Sequence, residues 1–203
     1  AITTADFKLL SPAQTAALTS DHVAALTLDQ VGVLETADFA RLSTASVANF
    51  KATQIEKLST SQIQALTTEQ AAALTSAQIA GLTTAQLAKF ETADFASLST
   101  TSLKGMTKAL IESMTTDQAA AMTSAQIAAL SNSQIQFIQT DDLQAISPTT
   151  LKGITTAQAA SLTQDQVRKI TTAQIAAMET ADFSSLTGSL VSVLSSEQIN
   201  ALS

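Results

Sequence analysis

The residue types that usually carry chemistry are scarce here. His22 is the only histidine and there is no cysteine, so neither a disulfide framework nor a thiolate metal site is available. A Ser–His nucleophile or a histidine-centred metal site needs partners close by, and nothing outside the repeat described below supplies them. Asp141–Asp142 is the densest acidic spot. A calcium cage needs about 6–8 oxygen ligands, and the spacing of glycine-rich calcium repeats is absent. No glycine-rich loop is placed to cradle a phosphate. Recurrent threonine pairs such as Thr83–Thr84 could form a regular hydroxyl array of the kind that binds ice. Each of these features has a plainer reading. His22 stands in a slot that other repeats fill with glutamine, a surface or capping role. The aspartates fall where helix N-termini favour acids. The Phe and Met residues fall at core positions. No residue is assigned a catalytic, cofactor-binding or metal role, and the chain is expected to be non-enzymatic, without a cofactor or a small-molecule ligand.

What positions the remaining side chains is a repeat of eight residues. Every eighth residue from Ile2 to Leu202 is large and apolar, and the spacing never slips. With this residue as position 1, position 6 is nearly as strict, as in Phe7, Val31, Ile63, Ile79 and Ile127; Thr15, Ala71, Ala119 and Ala159 are its small members. The apolar spacing therefore alternates five and three. One continuous helix turns about 100° per residue, so eight residues overshoot two turns by about 80° and no coiled-coil seam can persist. A straight strand would put the two apolar residues on opposite faces. A bent β-solenoid is compatible with the spacing alone.

The polar positions favour helix. Position 2 is serine or threonine in most octads, for example Thr19, Ser43, Thr75 and Thr123, and position 5 is mostly glutamine or aspartate. A hydroxyl followed three residues later by Gln is the capping box, and the apolar residues flanking it at positions 1 and 6 form the hydrophobic staple. Both prolines, Pro12 and Pro148, fall at the first helical position, where the missing N–H does no harm. Acids concentrate at positions 2, 4 and 5. Bases concentrate at positions 7 and 8, as in Lys8, Arg41, Lys57, Lys89, Lys104, Lys152, Arg168 and Lys169, which suits the helix dipole. Gly81, Gly105 and Gly153 sit at position 8, where a helix can end. Each octad is thus one short helix and a turn. Such a helix is too short to exist alone, so the units must stack as a solenoid. The expectation is an all-α solenoid of very short helices, one per octad, running continuously over residues 1–203 with positions 1 and 6 inside. A second motif, TADF, ends at Phe7, Phe39, Phe95 and Phe183; its intervals are compatible with about 3.6 octads per superhelical turn, with these Phe residues as bulky rungs of the core. The recurrence of SLKGMT and TLKGIT around Lys104 and Lys152 suggests duplication of larger blocks.

Composition narrows the partners. Only 13% of residues are charged, the net charge is -7, aromatics are 3%, and there is no Trp or Tyr. A nucleic-acid partner needs clustered Lys and Arg, so none is expected. No apolar run approaches the length of a membrane span, and no signal-peptide pattern is read at the start. A low-charge surface rich in Ala, Thr and Gln favours lateral packing against other coils, from this chain or another. The chain begins and ends in mid-pattern, as expected of an excerpt from a longer array or of a subunit covered by neighbours.

The phrases LTTAQLAKF, LTLDQVGVL and FETADFASL resemble the octapeptide repeat regions of large bacterial secreted and surface proteins, and the resemblance covers essentially the whole chain. It implies an extracellular or cell-surface spacer, adhesin stalk, or filament- or layer-forming segment. The partners it implies are further copies or neighbouring repeats of a longer chain. The alternative reading is a solenoid module that holds a protein or peptide on its surface.

Overall fold

Most octads open on a hydroxyl residue with an extended backbone and then turn helical, as the capping pattern requires; Glu35, Lys51, Glu91, Gln139 and Glu179 take the same extended place without a hydroxyl. The computed structural model describes residues 3–202. Among them stand 24 α-helices of four to six residues and one 3-10 helix, with no strand, so the β-solenoid alternative falls. The octad at Leu74 is representative. Thr75 is extended (φ -87, ψ 163) and caps the helix Ser76–Ala80. The Gln78 N–H donates to Thr75 Oγ1 at 3.3 Å and the Thr75 N–H donates to Gln78 Oε1 at 2.8 Å. Two of the free N–H groups at the helix start are thereby satisfied. The helix then ends within one residue, and the Leu82 N–H closes on Ile79 O at 3.1 Å.

Positions 1 and 6 form the core. Leu74, Leu82 and Phe90 are buried at position 1, and Ile79, Leu87 and Phe95 at position 6. Ala71, Ala119 and Ala159 are fully buried despite their size, and the buried Thr15 turns its hydroxyl onto Ser11 O. Phe7, Phe39 and Phe95 are core residues, and Phe39 lies 5.8 Å from Phe50, ring to ring. Phe183 is only half-buried.

The contacts gather into two units, Ala1–Met106 and Thr107–Ser203. In each, a helix stacks on the one three further along the chain. In the first unit Ser76–Ala80 packs on Ser102–Gly105, and Thr68–Ala72 on Thr92–Ser97; in the second, Thr116–Ala120 packs on Thr140–Ala145. Side-chain bonds between successive coils span 28 residues, three and a half octads, where the TADF spacing suggests 3.6. The half is consequential: position 5 of one coil lies over position 1 of the coil before, so helices bridge the turns beneath them.

Gly81, Gly105 and Gly153 stand at helix ends, as the sequence suggests, and they have a further reason. No residue among those described has a positive φ, and Gly81 itself is ordinary right-handed helix at φ -83. A left-handed cap is therefore not what they provide. A Cβ on Gly81 would stand 2.7 Å from Ala52 O, and a Cβ on Gly105 or Gly153 would collide with Ser76 O or Ser124 O. Glycine is used where position 8 meets bare backbone of the preceding coil. The same juxtaposition is built differently at Phe137, whose ring lies under the Lys108 ammonium at 5.4 Å.

Candidate functional site: the glutamine seam

The most organised polar arrangement is the seam between coils, and position 5 makes it. Gln54, Gln62, Gln70, Gln78 and Gln86 are each no more than 2% exposed. Their Oε1 atoms complete the capping boxes of their own helices at 2.7–2.9 Å. Their Nε2 atoms reach the preceding coil. Gln78 Nε2 donates to Val47 O and Phe50 O, both at 2.8 Å, 31 and 28 residues back. Gln62 does the same to Val31 O and Leu34 O, and Gln86 to Ile55 O and Leu58 O. In the second unit Gln158, Gln166, Gln174 and Gln198 repeat the pattern, Gln174 on Leu143 O and Ile146 O. The chemistry explains the choice of residue. The position 1 carbonyl lies just before a helix, has no helical partner, and is buried between apolar side chains; a buried carbonyl without a donor costs about 1–3 kcal/mol. One amide thus serves a helix start with its oxygen and two buried carbonyls with its nitrogen. Glutamate could do only the first.

Where glutamine is absent, substitutes vary. Ser46 Oγ donates to Leu18 O at 2.7 Å, a short reach to the same 28-residue partner. Asp94, Asp142 and Asp182 are buried at position 5. Each accepts from a threonine hydroxyl 26 residues back: Thr68 at 2.9 Å, Thr116 at 3.0 Å and Thr156 at 2.9 Å. Burial pushes the Asp94 carboxyl above its ordinary value; the Thr68 hydroxyl opposes the shift, and Glu91 and Glu69 add to it. Burial likewise raises Asp142 against the pull of Thr116, with a further push from Asp141. Asp6, itself exposed, is held low by the Thr3 hydroxyl and N–H.

The other candidate residues are dispersed. His22 is exposed, and its Nδ1 accepts from the Thr19 N–H at 3.2 Å, the capping role of the glutamine it replaces. It also borders an apolar recess of about 410 Å³ between Phe7, Leu10, Leu18 and Leu26. Asp141 is exposed at a helix start while its neighbour Asp142 turns into the seam. No three acids, histidines or cysteines converge as a metal site among the described residues. The threonine at position 2 spends its hydroxyl on a cap, as at Thr67, Thr75 and Thr83. Threonine at position 3 reaches the seam aspartates from Thr68, Thr116 and Thr156. No helix among the described residues is long and apolar enough to cross a membrane.

The sequence pattern agrees with this geometry at the level of family. A profile of the ALTTAQ repeat matches residues 1–36, 31–68, 54–84, 87–132 and 135–172. The chain belongs to the ALTTAQ repeat family. No curated protein matches it. Read on the structure, the six letters of the ALTTAQ repeat are the last residue of one octad and the first five of the next. Its Leu is the core rung, its first Thr the helix cap, and its Gln the residue that joins both cap and seam.

Proposed function

We propose that this chain is a non-enzymatic structural segment, a spacer, stalk or assembling element of a bacterial surface protein. The observation that carries this reading is the uniformity of the seam. Most position 2 hydroxyls are spent on caps, and the same two-carbonyl grip on the preceding coil recurs at Gln54, Gln62, Gln78, Gln86, Gln166 and Gln198. An arrangement that repeats by pure addition suits a part whose task is length or assembly. The resemblance of its phrases to repeat regions of secreted and surface proteins supports an extracellular placement. The ladder also offers a route to self-association, because a coil accepts the next coil through the same bonds whether or not the chain between them is continuous. Electron microscopy with light scattering on the purified chain tests the reading. Filaments, sheets or concentration-dependent growth are expected. A monodisperse monomer at high concentration would end the assembly part, and capture of one peptide or protein partner with micromolar affinity by such a monomer would replace it with a binding module.

A further inference from the structure

We propose that Asp94 and Asp142 are acid-tightened seams, each carboxyl standing where a glutamine amide grips the preceding coil and regaining a donor when it takes up a proton. The geometry is specific. Both side chains are 4% exposed, and each holds one threonine hydroxyl of the coil before through Oδ1, at 2.9 Å for Thr68 and 3.0 Å for Thr116. Asp182 with Thr156 repeats the arrangement at 2.9 Å, so it is a recurrent construction. At the neighbouring seams a glutamine nitrogen donates to carbonyls 28 and 31 residues back. The equivalent carbonyls are those of Leu66 and Ile63 for Asp94, and of Met114 and Ile111 for Asp142. Ile63 O and Ile111 O already accept the N–H of Leu66 and of Met114, at 3.2 and 3.3 Å, and a carboxylate has no hydrogen to offer the other two, Leu66 O and Met114 O. A carboxylic acid has one O–H to give, so one proton taken from solution adds a donor and removes a buried charge.

The groups around each carboxyl favour that proton. Asp94 faces Glu91 on its own segment and Glu69 on the helix Thr68–Ala72 packed against it. Asp142 faces Asp141 on its own helix. The helix Thr116–Ala120 beneath it carries Asp117, and Gln164–Lys169 on its other side carries Asp165, Arg168 and Lys169. Arg168 and Asp165 are exposed and paired with each other at 2.8 Å. Burial raises both carboxyls from the ordinary value of 3.8. A folded-state value above the unfolded one means that the folded chain binds the proton more tightly. The stability these two groups contribute is therefore complete below pH 3.8 and is lost as pH rises through their folded-state values. This sign is opposite to that of a salt-bridged carboxylate.

The test is a carboxyl carbon NMR titration of the full chain, wild type and Thr68→Val, with denaturation midpoints of Asp94→Asn/Asp142→Asn against pH. Both carboxyls of the wild type should titrate above 3.8. Thr68→Val should move Asp94 higher still, because the hydroxyl favours the charged form. The wild-type midpoint should gain on that of the double variant as pH falls from about 7 to about 4. Titration at or below the unfolded value, a downward move of Asp94 in Thr68→Val, or a pH-independent difference would each overturn the proposal. If the double variant fails to fold, the titrations of the wild type and Thr68→Val decide alone.

Discussion

Replacing Gln78 with Glu changes one atom type at the centre of a seam and nothing in its shape. Gln78 is 1% exposed, with its nitrogen on Val47 O and Phe50 O and its oxygen on the Thr75 N–H, all at 2.8 Å. Glutamate retains the cap contact and loses both donors. Two neutral hydrogen bonds contribute about 0.5–1.5 kcal/mol each, and a buried carbonyl left without a donor costs about 1–3 kcal/mol. The two descriptions overlap, and Val47 O keeps the Phe50 N–H, so the lost bonds should cost about 1–3 kcal/mol at neutral pH, with the buried charge adding to that. Part of it should return on acidification, when the buried carboxyl regains an O–H. The control is Gln14→Glu. Gln14 is exposed and its oxygen serves only the cap at Ser11, at 2.8 Å. Glutamate does that equally well, so a change within about 0.5 kcal/mol is expected. Because stacked repeats need not unfold in one step, denaturant melts should be paired with native-state hydrogen exchange over Ser76–Ala80. A Gln78→Glu chain as stable as wild type at neutral pH, or a Gln14→Glu chain equally weakened, would refute the seam reasoning.

Other substitutions probe other links. Gly105→Ala should cost about 1–3 kcal/mol by forcing two coils apart. Gly188→Ala, with nothing within 4 Å of the added Cβ, should be neutral or gain up to about 1 kcal/mol from helix propensity; thermal melts compare the two. Thr75→Ala removes one cap hydroxyl and should cost about 1 kcal/mol, read as faster exchange of the first amides of Ser76–Ala80. Asp94→Gln replaces a buried carboxylate with the amide used at adjacent seams. It should raise neutral-pH stability by about 1 kcal/mol and flatten the acid dependence, measured by denaturant midpoints at several pH values.

The helices were legible because everything that makes them lies within four residues. The hydroxyl cap, the residue at N3, the flanking apolar pair and the sorted charges all act inside one octad, and the structure uses each of them. The seam was harder because its partners lie 28 and 31 residues away, beyond any local pattern. One signal was present: glutamine, never glutamate, fills position 5 from Gln54 to Gln86 and again from Gln118 to Gln134. A cap alone would accept either, so the exclusion of Glu marks a second demand for an N–H donor. The aspartates show the limit of the helix-terminus argument. It places both Asp141 and Asp142 in a first helical turn, where they are, but does not foresee that Asp142 is buried against Thr116. Gly81, Gly105 and Gly153 stand at helix ends as expected, but the backbone of the preceding coil against them was not visible locally. That distance depends on three and a half octads per coil, a quantity that the TADF spacing brackets without fixing.

The central claim is that the glutamine amides, and not the apolar rungs alone, lock each coil to the one before. Nuclear Overhauser spectra of the amide-labelled chain test it most directly. The side-chain NH₂ protons of Gln78 should contact protons of Val47 and Phe50 and exchange slowly with solvent. Side-chain amide signals that exchange as fast as those of Gln14, with contacts only inside their own octad, would contradict it.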